Sequence, residues 1–223
     1  MIGKISAILW KDIVSEFRTK EMISSMLVFS LIISFVLNFA FPTGSQLIQE
    51  AAPGMLWMTF IFASLLGMNR TFVYEVDKGC LHGLMLTPVD RNVIYISKMV
   101  VNFLLILLME FIVLPIFAIF FHLDILAILP VLLVIILLST IGIAVIGTLF
   151  SAISVNTRTR EVMLPILYFP VSIPIIFGAV QSTTDIFQGK SWEVIWSRLK
   201  IVVAFDLIFL IVALLLFEYI IEE

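Results

Sequence analysis

The sequence has a single cysteine, Cys80, and only two histidines, His82 and His122. One cysteine cannot form a disulfide within the chain or supply a metal site built from several cysteines. The two histidines are predicted, from the topology derived below, to lie on opposite sides of a membrane. They therefore cannot share a metal site within one chain, and we predict that the chain itself binds no metal and no cofactor.

Charged residues are also scarce, at 13% of the 223 residues, and the formal net charge is only -3. This balance lacks the basic excess of nucleic-acid-binding proteins, so nucleic acid is excluded as a partner. Gly189-Lys190-Ser191 resembles the end of a phosphate-binding loop, but the position that should hold the earlier glycine is Thr184. No nucleophile-elbow spacing and no carboxylate dyad is visible. We predict that the chain is not an enzyme.

Apolar residues, in contrast, make up 62% of the sequence, whereas soluble domains have about 45–50%. A membrane span needs about 20 mostly apolar residues, so the length allows six spans in a single domain, 1–223. Runs this long satisfy their backbone groups in lipid as helices. The sequence therefore predicts an all-α polytopic membrane protein. Its predicted spans are 22–41, 55–73, 98–121, 125–150, 162–180 and 201–221.

The distribution of Lys and Arg predicts the orientation of these spans. With the N-terminus in the cytoplasm, only Lys190, Arg198 and Lys200 of the 13 basic residues lie outside. We expect both termini in the cytoplasm. The other ten basic residues are Lys4, Lys11, Arg18, Lys20, Arg70, Lys78, Arg91, Lys98, Arg158 and Arg160.

Two further helices are predicted beside the spans. Residues 1–21 form an interfacial helix with an apolar arc opposite basic residues, although Asp12 and Glu16 fall inside that arc. They belong either to a plain membrane anchor or to a surface that faces a partner protein. In 192–199, Trp192, Ile195, Trp196 and Leu199 recur at helical spacing, which predicts a short outer helix before span 6 with an aromatic belt. The apolar arc of 1–21 contains Ile2, Ile5, Leu9, Ile13 and Phe17.

The fifth apolar run contains Pro165, Pro170 and Pro174. Each proline removes a backbone donor and clashes with the preceding turn. Such a segment is tolerated at membrane depth where neighbouring protein satisfies the freed carbonyls. We predict a broken span, possible alternatives being a re-entrant segment and a kinked but continuous helix.

Glu110 lies near the centre of the third run, where a charge costs at least ~2.5 kcal/mol. It must face protein or water, be paired, or be protonated. Ser139 and Thr140 lie at similar depth in the fourth run and are potential partners, and Gly142 and Gly147 would let helices approach closely. Glu110 is thus a functional candidate, or else a packing group that ties two helices together. Asp206 and Glu218, nearer the ends of the last run, are interpreted as structural.

The stretch 70–92 interrupts the apolar chain with charges and with Gly79, Gly83 and Pro88. Pro88 should end a helix, because the residue before a proline disfavours the helical region, and Asp90 can cap the next helix. We predict a short amphipathic helix between spans 2 and 3, either an ordinary loop or a contact for an intracellular partner. Its apolar side would hold Val76, Cys80, Leu81, Leu84 and Met85.

The pattern Glu-x-Asp-x-Gly-x-Leu-x-x-Leu-x-Leu-Thr-Pro at 75–88 resembles the cytoplasmic loop of type-2 ABC export permeases. Two more segments, AAPGMLWM at 51–58 and FPVSIPIIFGA at 169–179, are similar to the haem exporter protein B family, CcmB. The resemblance covers essentially the whole chain. This chain differs from the family pattern at His82, where relatives usually carry Glu. If that Glu contacts the ATPase in the relatives, this chain must make the contact in another way.

The resemblance implies a membrane subunit of the cytochrome c maturation transporter in a bacterial-type inner membrane. A separate ABC ATPase would bind ATP, other membrane subunits would handle haem, and two copies of this chain would be present per complex. ATP hydrolysis would drive haem delivery or release of a haem-loaded chaperone on the outer side. The cytoplasmic coupling helix would dock on the ATPase through Glu75, Asp77, Gly79, Leu81, His82, Leu84, Thr87 and Pro88.

Other functions remain open from the sequence. The principal alternative is a type-2 ABC permease that exports a lipid, drug or glycan. A secondary transporter with Glu110 as proton carrier would work without an ATPase. A membrane scaffold would leave ATP turnover in its complex indifferent to mutations in this chain.

Overall fold

The computed structural model describes residues 2–41, 46–77, 89–155, 157 and 159–220, which form helices and no strand. Six helices, α2 to α7, are long and apolar enough to cross a membrane. This confirms the predicted all-α architecture with six spans. In chain order the helices are α1 (Ile2–Thr19), α2 (Glu21–Ala40), α3 (Gln46–Asp77), α4 (Arg91–Phe121), α5 (Leu129–Val155), α6 (Arg160–Phe187) and α7 (Trp192–Ile220).

Residues in the left-handed region mark three of the helix boundaries. Lys20, with φ 55°, separates α1 from α2, and His122, with φ 52°, ends α4 while its N–H reaches the carbonyls of Ala118 and Ile119. Gly189, with φ 69°, follows α6. Glycine adopts this conformation without the Cβ clash that other residues suffer, which favours it after a helix end.

Helix α5 occupies the centre of the bundle and packs against α3, α4, α6 and α7. Its two central glycines make these contacts close. A Cβ at Gly147 would collide with Met68 of α3, and a Cβ at Gly142 would collide with Asp206 of α7 and Ile175 of α6. Small residues allow such close approach in membranes, where van der Waals packing drives helix association.

Polar side chains join helices across the bundle. Asn102 of α4 accepts from the Thr71 hydroxyl of α3 and donates to the Thr148 hydroxyl of α5, each at 2.8 Å. The Tyr95 hydroxyl donates to the Val145 carbonyl at 2.8 Å. These groups need partners because water is absent from the hydrocarbon core.

Helix α1 packs against α4, and its Ile8 is buried. The two acids in its apolar arc both contact this chain. An Asp12 carboxylate oxygen lies 2.8 Å from Lys98 Nζ, and Glu16 accepts from the Ile23 N–H at 2.9 Å. These contacts account for both acids without a partner protein.

Helix α6 is continuous through Pro165, Pro170 and Pro174, which contradicts the predicted broken span and agrees with the alternative of a continuous helix. Each proline removes its own N–H and crowds the carbonyl of the preceding turn. Packing on α3, α5 and α7 holds such a helix together, as neighbouring protein does for prolines in membrane spans.

The outer helix predicted at 192–199 is helical but is not a separate element. It forms the first turns of α7, which continues to Ile220 because no glycine or proline interrupts it. Other spans also begin at different residues than predicted, and α3 begins nine residues earlier than expected, at Gln46. Helix α4 begins seven residues earlier, at Arg91, and α5 begins at Leu129, which places Pro130 in its first turn, where proline is tolerated.

Candidate functional site

The predicted ATPase-coupling segment lies mostly outside the described residues. Its first residues, Glu75 and Asp77, are in the last turn of α3. The other coupling candidates are outside the described ranges: Gly79, Leu81, His82, Leu84, Thr87 and Pro88. Their assignment therefore stays a prediction.

The helices on either side of this segment are joined to each other and to the end of α7. Phe217 of α7 packs beside Phe72 of α3 and Tyr95 of α4, with ring centroids 6.3 and 5.0 Å apart. Arg91, the first residue of α4, donates to the Glu218 carbonyl at 3.1 Å. Helices α3, α4 and α7 are therefore in contact next to the segment that the structure leaves undescribed.

Glu110 and Thr140 meet at the interface of α4 and α5. Glu110 is 1% exposed, and the two side-chain oxygens, Glu110 Oε2 and Thr140 Oγ1, lie 2.7 Å apart. Thr140 Oγ1 also lies 2.7 Å from the Ile136 carbonyl oxygen, its acceptor within the helix. The structure thus brings together two of the three membrane-interior candidates.

The position of the Thr140 hydroxyl bears on the proton of Glu110. A threonine hydroxyl has one proton to donate and can accept in return, but both of its neighbours here are oxygens. If Thr140 donates to the Ile136 carbonyl, the remaining bond requires Glu110 to donate as a neutral carboxylic acid. This arrangement also avoids an ionised carboxylate at membrane depth, where charge is costly.

Ser139 is buried on α5 but does not join Glu110. Neighbouring residues on a helix point in different directions, and the Ser139 hydroxyl makes no hydrogen bond within the described part of the chain. The Tyr168 hydroxyl of α6 is also buried, and it makes no hydrogen bond within the described residues. Among the described residues, Glu110 therefore has Thr140 of α5 as its side-chain hydrogen-bond partner, and the adjacent Ser139 supplies none.

Asp206 is a second buried acid that the sequence interpretation placed too near the membrane surface. It is 6% exposed and lies against Gly142 of α5. The apolar run predicts that the last span begins at residue 201, whereas α7 begins at Trp192, which puts Asp206 in mid-helix. The helical periodicity of 192–199, which runs directly into the apolar run, was the signal for this depth.

The segment that resembled part of a phosphate-binding loop has a structural explanation. Gly189 lies in the turn between α6 and α7, and Lys190 Nζ is 2.7 Å from Asp185 Oδ1. Arg198 Nε lies 3.5 Å from the other carboxylate oxygen. Asp185 therefore fixes the turn with these two cations.

Residues that could ligate a metal do not gather in the described part of the chain. No three His, Cys, Asp or Glu residues there lie close enough to hold an ion. Cys80 and His82 fall outside those residues. The expectation that partner subunits hold haem and ATP stays a prediction.

Comparison with known proteins gives the same family that the sequence motifs resemble. The sequence profile described as CcmB protein matches residues 3–221. Relatives named "Heme exporter protein B" include one from Pseudomonas aeruginosa, 27% identical over 201 residues and 88% of each chain. Another, from Rhodobacter capsulatus, is 29% identical over 174 residues, which cover 78% of this chain and 79% of the relative. The chain therefore belongs to the CcmB protein family.

Proposed function

We propose that this chain is the membrane permease subunit of an ABC transporter for cytochrome c maturation. The observation that carries the proposal is the family match over residues 3–221, together with relatives named for haem export. The chain would supply the membrane pathway or the moving scaffold. A separate ATPase subunit would hydrolyse ATP, and partner membrane subunits would hold haem.

Coupling would enter through the segment 75–88, between α3 and α4. The contacts of Phe217 and Arg91 support this role, because they join the helices that flank the segment to α7. A push on the segment would move these helices together. The resulting motion would drive haem delivery, or release of a haem-loaded chaperone, on the outer side.

The orientation follows from the proposed coupling. ATP is cytoplasmic, so the segment 75–88 and both termini would face the cytoplasm of a bacterial-type inner membrane. The ten-to-three distribution of basic residues supports this arrangement. The Trp192 and Trp196 rings, stacked with centroids 5.9 Å apart, would then lie at the outer surface.

Affinity purification of the tagged full-length chain in mild detergent tests the proposal. We expect an ABC ATPase and a haem-containing membrane subunit to co-purify, and the haem spectrum to follow the latter. The matched control is an unrelated tagged six-span protein from the same membranes. Recovery with an ATPase but without any haem protein would instead favour a permease for a lipid, drug or glycan, and recovery without an ATPase would overturn the proposal.

A further inference from the structure

A cavity of about 280 Å³ lies where α1 crosses the ends of α2, α3 and α4. Its lining changes from charged to apolar. The charged part includes Lys11, Glu16, Glu21 and Arg70, and the apolar part contains Met22, Val101 and Leu105.

The cavity lies at the level where the spans meet the aqueous surface. Glu21 is the first residue of α2, and Arg70 lies near the end of the apolar stretch of α3, Glu50–Val73. Val101 and Leu105 lie farther into α4. One end of the cavity therefore matches a lipid headgroup, and the other matches the start of an acyl chain.

The charges that line the cavity are balanced. Three cations, Lys11, Arg70 and Lys98, face three carboxylates, Asp12, Glu16 and Glu21. Because these formal charges cancel, an anionic headgroup gains no net electrostatic attraction from the cavity lining. A headgroup that carries both a phosphate and an ammonium can bind a cation and a carboxylate at the same time, through charge-assisted hydrogen bonds.

These charges differ in how firmly they are held. The Lys98 and Asp12 side chains are only 4% and 10% exposed and lie 2.8 Å apart, so this pair is part of the wall. Arg70 and Glu21 are 55% and 56% exposed and can turn toward a ligand at little cost. Glu16 accepts one backbone N–H and, as a carboxylate, has further acceptor sites.

We propose that this cavity binds a zwitterionic membrane phospholipid with a primary ammonium, of the phosphatidylethanolamine class. The phosphate binds Arg70, and the ammonium binds Glu16 and Glu21. The acyl chain begins along Met22, Val101 and Leu105. A primary ammonium is required because a quaternary one has no N–H to donate to the carboxylates. The site is independent of the transported substrate.

The test uses the full-length chain, purified in the complex it forms in cells and reconstituted in nanodiscs. The discs contain equal parts of phosphatidylethanolamine, phosphatidylcholine and phosphatidylglycerol with identical acyl chains. Native mass spectrometry counts the lipids retained after transfer to detergent. We expect one retained phosphatidylethanolamine, preferred about tenfold, because a hydrogen bond between charged groups has that effect on binding.

Three variants separate the contacts. Glu16→Gln keeps an acceptor for the Ile23 N–H but should remove the preference for phosphatidylethanolamine. If Glu16→Gln fails to fold, Glu21→Gln, at an exposed residue, should show the same loss of preference. Arg70→Gln should lower retention of all three lipids. Glu193→Gln, an exposed acid at the start of α7, is the control and should change nothing.

Several results would overturn the proposal. Equal retention of phosphatidylethanolamine and phosphatidylcholine would mean that the ammonium is not recognised, and a preference for phosphatidylglycerol would mean that the site is anionic. Displacement of the lipid by an equal concentration of soluble phosphoethanolamine would show a site for a free headgroup. No retained lipid in the unmodified protein would show that water alone fills the cavity.

Discussion

The two ends of the helix bundle use their charged residues differently. At the end with most of the basic residues, ion pairs join helices that are distant in sequence. Asp12 of α1 pairs with Lys98 of α4, and Glu21 of α2 pairs with Arg70 of α3. At the other end, Asp185 binds Lys190 and Arg198, which follow it in the same helical hairpin. Among the described residues, a long-range contact at that end is neutral: the Trp57 indole N–H donates to the Thr183 hydroxyl at 2.9 Å.

The charge pairs therefore have different structural effects at the two ends of the bundle. At the basic end, ion pairs connect α1 to α4 and α2 to α3, and the Arg91 contact connects α4 to α7. These helices are therefore held together at that end. Charge pairs within the α6–α7 turn fix only the shape of that hairpin. Under the proposed function, an ATPase that docks between α3 and α4 needs helices joined in this way in order to move several of them together.

The sidedness of the two ends has the largest expected effect, because labelling is all or none. Ser197→Cys in a Cys80→Ser background places a thiol on the exposed side of the first turns of α7. It should react in intact cells with a membrane-impermeant maleimide. Thr19→Cys, at the end of α1, is the matched control and should react only after the membrane is broken. The opposite pattern would invert the topology.

Breaking the buried pair at the basic end should cost the most stability. Lys98→Met leaves Asp12, only 10% exposed, with the half-exposed Lys11 at 3.1 Å as its remaining cation. We therefore expect a loss of about 2–3 kcal/mol, at or below the lower end of the range for a buried charge left without any partner. Thermal unfolding followed by tryptophan fluorescence in one detergent measures the loss. Glu21→Gln, which breaks an exposed pair, should cost less than about 1 kcal/mol. Equal losses would mean that burial of the Asp12 pair has no consequence.

Asp185→Asn should have a smaller and more local effect. The amide can still accept a hydrogen bond, and Lys190 and Arg198 are half-exposed, so water replaces part of what is lost. We expect a loss of about 1–2 kcal/mol in the same unfolding assay, and faster proteolysis in the turn between α6 and α7. A loss as large as that of Lys98→Met would remove the contrast between the ends.

Between the ends, Glu110→Gln should change stability least and function most. The amide can donate to Thr140 as the neutral acid would, so protein level should hold and the unfolding free energy should change by less than about 1 kcal/mol. Maturation of c-type cytochromes should fall, because Gln cannot gain or lose a proton. Ser139→Ala is the control. Full maturation with Gln would show that Glu110 only packs.

The sequence predicted those features that depend on long apolar runs. Six spans follow from run length alone, and equal depth in neighbouring spans identified Thr140 as a potential partner of Glu110. Equal depth did not distinguish Thr140 from Ser139, because the direction of each side chain depends on how α5 is rotated against α4.

Features that depend on long-range contacts were not predictable in the same way. The sequence predicts Lys98 at the cytoplasmic end of a span, but its pairing with Asp12 of α1 lets it lie within α4, which begins seven residues earlier. Proline counting predicted a break in α6, but its neighbours supply the packing that keeps it continuous. The sequence predicts a short tryptophan-rich helix and a separate last span, but α7 is one helix from Trp192 to Ile220, with Asp206 near its middle.

The central claim is that this chain couples to a separate ATPase through the segment 75–88, and Gly79→Trp tests it most directly. The tryptophan would fill space that glycine leaves for close backbone approach. Gly54→Trp is the matched control, because Gly54 lies in α3 with open space at its Cβ position. The measurement is ATP hydrolysis by the complex recovered with each tagged variant. We expect normal membrane insertion of both variants, with ATPase recovery and ATP hydrolysis lost only in Gly79→Trp. A Gly79→Trp complex that retains its ATPase and hydrolyses ATP at the unmodified rate would contradict the account.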